Sequence, residues 1–289
     1  MKPRIVFFGT PSYSLIVLDL LYTQGYPIAG VVTKPPRPVG RSQKLTETAV
    51  ARWGQSHKIP TFQPAAKTDA PWMFNDETEL TKNVLALKPD LLIVADFTQK
   101  IPQELVKSVP FGGLNIHPSL LPAYRGPAPV PWALFKGEKE TGVSVVTLSE
   151  NFDAGMVIAQ EKEKILDTDT TDSLLTRLFT KGAELLIKEL PGYISKPPHT
   201  LNPHLYPEPS RRASYFPRIT RDDGFEPWEK IQVALSQGTH AQRIYNKWRG
   251  FHPWPGLWTK IKLKSQIQNP KNQEKRLKII SCQLVPKSL

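Results

Sequence analysis

One cysteine, Cys282, stands among 289 residues. It excludes an internal disulfide and any cysteine-based zinc cluster, and it fits a reducing compartment. Long apolar runs are also missing. None approaches the ~18–20 residues that a membrane span requires. The opening, MKPRIVFFGT, has neither the long apolar core nor the small-residue cleavage site of a secretory leader. These absences predict a soluble, cytoplasmic chain with no membrane partner. Gly9 lacks the two further glycines of a G-x-G-x-x-G phosphate loop, so no nicotinamide site is expected. No internal repeat is visible, and no residue spacing suits a metal.

What is present is a core-forming chain with uneven charge. Hydrophobic residues make up 39%, which excludes wholesale disorder, and the length suits one large domain or two ordinary ones. The formal net charge is +12. From Leu201 to Leu289 there are 16 Lys and Arg against 6 Asp and Glu, so +10 of the excess lies there. A nearly neutral body thus carries a basic C-terminal region. Such a region reads either as a platform for a polyanion, nucleic acid above all, or as a solvated face.

Short apolar runs at Arg4–Gly9, Gly30–Thr33, Leu91–Ala95, Leu114–His117, Gly142–Leu148 and Met156–Gln160 predict six strands. Ser12–Tyr22, with Ser12 as its cap, and Thr171–Glu189 predict helices. Alternation of the two predicts an α/β sheet with crossovers. Lys34–Lys44 (KPPRPVGRSQK) is a basic, Pro-rich loop without apolar period. Pro191–Pro217 holds seven Pro and reads as a linker. The domains expected are therefore 1–190, a linker over 191–217, and a basic domain over 218–289. In the last, Pro227–Trp248 predicts helix, and TKIKLK and LKIISCQLV predict short strands.

Chemistry concentrates between Leu114 and Gly155, where Asn115-x-His117 is followed by Pro118-Ser119-Leu120-Leu121-Pro122, by Tyr124-Arg125-Gly126 and by Asp153-Ala154-Gly155. Acyl transfer to an amine passes through a tetrahedral oxyanion. An Asn amide donates to that oxygen without titrating. A His titrates near neutrality and moves the proton. Spaced two apart on a strand, Asn115 and His117 share a face. Asp153 either holds the imidazole or accepts the proton itself. An Asn-x-His pair alone is weak, and a lone His at a strand end is usually structural. The joint pattern is far more specific.

On these motifs, and from the FFGTP opening to the HPWPG segment, the chain resembles the 10-formyltetrahydrofolate-dependent formyltransferases. The resemblance implies a Rossmann-like formyltransferase domain followed by a small C-terminal β-barrel of oligonucleotide-binding type. It implies Asn115, His117 and Asp153 as catalytic residues. Ser119, Leu120, Leu121, Pro122 and Phe97 would hold the formyl carrier, 10-formyltetrahydrofolate, with the Leu121–Pro122 bond cis. The basic loop resembles the insertion of the branch that formylates methionyl initiator tRNA. It makes Arg37, Arg41 and Lys44 phosphate contacts, with a mobile surface loop as the plainer reading. Lys247 and Arg249, beside Trp248 and Trp254, would either grip the acceptor stem or surround a packed aromatic cluster. No metal is implied, and a monomer is expected.

Two features depart from the family pattern. In Asp96-Phe97-Thr98-Gln99-Lys100-Ile101-Pro102, Thr98 stands where relatives have Gly and Lys100 adds a charge, in a segment that touches the carrier's pteridine. The chain also stops soon after LKIISCQLV, which implies a shortened barrel or a truncated product. Two other readings therefore stand beside transfer to tRNA. One is a formyltransferase for a sugar-nucleotide amine, against which the basic loop argues. The other is a catalytically lapsed RNA-binding homologue, against which the intact Asn115, His117 and Asp153 argue.

Overall fold

The computed structural model describes residues 1–40, 42–195, 213–262 and 274–284. The elements run β1 (Ile5–Gly9), α1 (Ser12–Thr23), β2 (Ile28–Val32), β3 (Arg37–Val39), β4 (Lys44–Thr46), α2 (Ala49–Ser56), β5 (Thr61–Phe62), α3 (Glu77–Ala86), β6 (Leu91–Ala95) and α4 (Gln103–Ser108). They continue with β7 (Gly113–His117), α5 (Pro129–Lys136), β8 (Glu140–Thr147), β9 (Val157–Lys164), α6 (Thr171–Ser195), α7 (Trp228–Gln237), α8 (Ala241–Phe251), β10 (Trp258–Lys262) and β11 (Glu274–Lys278). The chain forms two compact units. The first comprises Met1–Gly126, Gly142–Glu163 and Thr176–Tyr215, and the second Pro127–Thr141, Lys164–Leu175 and Phe216–Leu289.

Seven strands form the main sheet in the order β5-β2-β1-β6-β7-β8-β9. The pairs from β5 to β7 are parallel, and β8 returns antiparallel against β7. β1 and β6 are buried along their whole length, which is why each reads as an unbroken apolar run. Phe8, Val32, Leu92, Val94 and Leu105 join one core cluster. From β1 the chain turns to β2 on one side, while β6 lies on the other. The carboxyl ends of β1 and β6 thus flank the switch point at which open α/β sheets bind ligands.

Several local expectations change. Pro11 occupies the N-cap of α1 without a side-chain bond, so Ser12 does not cap it. Ser14 instead donates to Ala95 O at 2.7 Å and ties α1 to β6. The Lys34–Lys44 loop contains strand. Val39 pairs with Lys44 and Arg37 with Thr46, which makes β3–β4 an antiparallel hairpin. Its sequence shows no apolar period because both faces are exposed. α6 continues through Pro191 to Ser195, into the stretch read as linker, and residues 196–212 lie outside the described residues.

In the second unit, Gly238 takes a left-handed conformation (φ 72°) and splits the expected single helix into α7 and α8. α8 packs on α5 at Gly250, where a Cβ would press on the Pro131 carbonyl oxygen at 2.7 Å. Trp132, Phe135, Phe251 and Ile219 form the core beside them. β10 and β11 pair antiparallel. They are the strands described in the region expected to form a barrel.

Candidate active site

β7 delivers Asn115 and His117 at its carboxyl end, two residues apart on one face. Asp153 comes from the turn after β8, in the left-handed region (φ 53°), which Asp tolerates better than most residues. Its Oδ1 accepts from Asn115 Nδ2 at 3.2 Å and lies 3.4 Å from His117 Nδ1. Its Oδ2 accepts from the Gly126 N–H at 2.9 Å. The three expected catalytic side chains therefore meet on one carboxylate, and the YRG turn is fastened to the same group.

The second ring nitrogen of His117 decides what the imidazole can do. Nε2 lies 2.9 Å from the Tyr124 carbonyl oxygen, which can only accept. Nε2 must then carry a proton. Nδ1 faces Asp153 Oδ1, and the ring is 4% exposed, so polar contacts made there are screened little by water. An imidazole N–H and the second N–H of the Asn115 amide are donors of the kind that developing negative charge requires.

The segment after β7 is braced from below by residues the sequence pattern did not single out. Ser144 on β8 donates to Ser119 O at 2.6 Å and accepts from Leu121 N at 3.1 Å. Gln160 on β9 donates to Leu121 O and to Ser144 Oγ, both at 2.8 Å. Ser119 Oγ closes the turn on Ala123 O at 2.7 Å. The Leu121–Pro122 bond is cis, as the resemblance implied. Ser119 and Leu121 are buried in this framework, while Leu120 and Pro122 keep exposed surface. Ser214, inside the stretch read as linker, also belongs here. Its Oγ accepts from Tyr124 N at 2.9 Å and its carbonyl from Arg125 N at 2.8 Å. A hydroxyl inside an apolar strand, as in GVSVVTL, was the visible signal for Ser144. Nothing local marked Ser214.

Past β6, Phe97 packs edge-on to Phe8 at 5.7 Å and lies against the core cluster. Next to it, Thr98 Oγ1 and both amide atoms of Gln99 are buried without a hydrogen-bond partner among the described residues. A buried amide left unpaired is costly, so this segment suits a ligand that offers donors and acceptors.

The Asp153 turn depends on Gly155. A Cβ there would run into the carbonyl oxygen of Thr147, the residue that pairs with Met156 across the turn. Gly155→Ala is expected to destabilise the protein by about 1–3 kcal/mol through overpacking and to misplace Asp153. A thermal melt together with a turnover assay checks this; unchanged turnover would mean that the turn absorbs the methyl group elsewhere.

The residues expected to touch tRNA separate into two groups. Arg37 and Lys44 are exposed on the β3–β4 hairpin and share one face with Val39 by strand register, while Arg41 lies outside the described residues. Lys247 and Arg249 are buried, at 6% and 1% exposure. Lys247 Nζ binds Glu226 at 2.8 Å, and Arg249 reaches Asn246 Oδ1 at 3.0 Å and Leu166 O at 2.8 Å. Both cations are used inside the second unit, which corrects the expectation that they grip an acceptor stem. Trp248 packs in a small core with Ile231, Ile244 and Leu257, and Trp254 is 60% exposed. Among the described residues no helix is long and apolar enough to cross a membrane, and no His, Cys, Asp or Glu cluster would hold a metal.

A mixed α/β sheet with an Asn–His–Asp cluster at the carboxyl end of a central strand suits acyl transfer. Residues 3–190 match the model of the formyl transferase family, and residues 234–288 match that of the formyl transferase C-terminal domain. The chain belongs to the formyl transferase family. It is 37% identical over 277 residues to a methionyl-tRNA formyltransferase of Halalkalibacterium halodurans, covering 93% of this chain and 80% of that protein. To the methionyl-tRNA formyltransferase of Bacillus subtilis it is 36% identical, over 89% of this chain and 74% of that protein. Among solved structures, HypX of Aquifex aeolicus in complex with tetrahydrofolic acid superposes with a TM-score of 0.60 at 20% identity, over 90% of this chain and 36% of that one. That likeness concerns the fold alone.

Proposed function

We propose that this protein transfers the formyl group of 10-formyltetrahydrofolate to the α-amino group of methionyl initiator tRNA. The observation that carries the reading is similarity of 35–38% to methionyl-tRNA formyltransferases over about nine tenths of the chain, joined to the meeting of Asn115, His117 and Asp153 at the end of β7. The folate donor supplies the formyl group. Leu120, Pro122 and Phe97 offer it apolar contact, and the unpaired amide of Gln99 offers donor and acceptor. Asn115 and His117 donate to the oxygen that gains charge as the amine adds to the formyl carbon. Asp153 holds both donors in place. His117 then gives a proton to the leaving nitrogen and takes up the proton that the attacking nitrogen sheds as it becomes the formamide.

The β3–β4 hairpin presents Arg37 and Lys44 to the tRNA backbone. Such contacts position the acceptor end and do not read bases.

The test is formyl transfer from 10-formyltetrahydrofolate to initiator methionyl-tRNA, elongator methionyl-tRNA and a 4-amino-sugar nucleotide. Product on the initiator tRNA is expected. Product on the sugar alone would move the assignment to the sugar-nucleotide reading. In the same assay, Arg37→Ala with Lys44→Ala is expected to raise KM for tRNA. The salt dependence should flatten by about one unit of slope for each phosphate that is no longer neutralised.

A further inference from the structure

The proposed reaction needs a neutral amine, yet the α-amine of an aminoacyl ester is an ammonium for much of the time at neutral pH, with a pKa of about 7.7–8. In the Asn115–His117–Asp153 cluster the polar atoms already face one another: Asp153 faces three donors, and both ring nitrogens of His117 face protein oxygens.

A second carboxylate lies at the same edge. Asp96 is the first residue past β6. Ala95 pairs with Ile116 in the parallel register of β6 and β7, so one step further brings Asp96 level with His117. Its φ of 48° turns the chain out of the strand at the switch point between β1 and β6. No hydrogen bond to its carboxylate is present among the described residues. The neighbouring Thr98 Oγ1 and Gln99 amide are also unpaired. The charged groups coupled to Asp96 are Lys34, beyond β2, and His117 on β7. β1, which lies between, ends in Gly9, is followed by Thr10 and contributes no titratable group, and Asp153 faces His117.

We infer that Asp96 is a further catalytic residue, which takes the proton from the acceptor's α-ammonium and so generates the attacking amine. The inference rests on the function proposed above. In the step, an N–H bond of the ammonium breaks, an O–H bond forms on Asp96, and the electron pair left on nitrogen attacks the formyl carbon. Asp96 returns the proton to solvent.

The electrostatics suit the role. Desolvation raises the Asp96 carboxyl to about 6, while Lys34 and then His117 limit the rise. It is therefore ionised at pH 7–8 and more basic than an ordinary carboxylate. The two carboxylates of the site thus have opposite environments: Asp153 faces three donors, and Asp96 has none among the described residues. Environments that separate in this way divide the roles of paired acids.

The experiment is the pH profile of kcat/KM for Asp96→Asn beside the wild type, with charged initiator tRNA. Asn tolerates the left-handed backbone and keeps the shape of the side chain. Without the carboxylate, only acceptor that is already neutral reacts. The variant is then expected to lose about tenfold at pH 6.5–7 and to recover to within about twofold at pH 9, following the free-amine fraction. Lys34→Gln provides a second reading that keeps Asp96: its acid limb should move upward, because the cation that holds the carboxyl down is gone. A loss that is equal at every pH, or a raised KM for the folate donor with an unchanged pH profile, would overturn the inference and make Asp96 a structural or donor-binding residue. Failure of the wild type to formylate any acceptor would instead remove the proposed function.

Discussion

His117→Ala is expected to lower kcat for formyl transfer by about 10²–10⁴, the usual worth of a positioned acid or base, with KM for tRNA little changed. The imidazole sits between Asp153 Oδ1 at 3.4 Å and the Tyr124 carbonyl at 2.9 Å. It is the group of the cluster that can both donate to the oxyanion and lose a proton to the leaving nitrogen. Asn115 remains in the variant, still 3.2 Å from Asp153, so part of the oxyanion stabilisation survives and the loss stays short of complete. The tRNA contacts proposed for Arg37 and Lys44 do not involve this ring. Steady-state kinetics with filter-bound tRNA as a control separate the two effects. A rise in KM at unchanged kcat would show that His117 serves binding rather than chemistry.

Glu226→Ala is expected to cost about 3–5 kcal/mol of stability in the second unit, the penalty for leaving a buried charge without its partner. Glu226 is 2% exposed and Lys247 6%. Lys247 Nζ lies 2.8 Å from Glu226 Oε2, and Arg243 binds the same carboxylate at 3.1 Å. Burial pushes the Glu226 carboxyl up, but the hydrogen bond and charge of Lys247, with the charge of Arg243, outweigh it and leave the group below its ordinary value. A carboxyl lowered in the folded state stabilises above its unfolded pKa of about 4.3. That contribution is lost as pH falls through the folded value. Urea denaturation of wild type and variant between pH 3 and 7 tests both points. The gap between them should be widest at pH 7 and close on acidification; a constant gap would mean that Glu226 acts by packing alone.

The sheet was legible because its central strands are buried on both faces. RIVFFG and LLIVA admit little besides β1 and β6, and their order with helices between them implies crossovers. The Asn115, His117 and Asp153 set was legible as a pattern of residue types, although 38 positions separate its ends. Other features were hidden for physical reasons. The β3–β4 hairpin has no buried face and therefore no apolar period. Ser214 reaches the Tyr124–Arg125 turn through backbone and hydroxyl bonds about 90 residues away, a pairing that no local pattern announces. Lys247 and Arg249 looked like surface cations because composition counts charges without placing them. Their neighbours Glu226, Asn246 and Leu166 show that they are interior groups. The basic balance of the C-terminal region is thus partly internal. Arg37 and Lys44, on the hairpin of the first unit, are exposed.

The most direct test of the whole account is the identity of the product. Wild-type protein, 10-formyltetrahydrofolate and charged initiator tRNA are incubated, the ester is hydrolysed, and the released amino acid is weighed by mass spectrometry. N-formylmethionine, formed by the wild type and nearly absent with Asn115→Ala or His117→Ala, is the result the account predicts. Unmodified methionine throughout, from protein that still binds the tRNA, would contradict it and leave the Asn–His–Asp cluster as a relic on an RNA-binding scaffold.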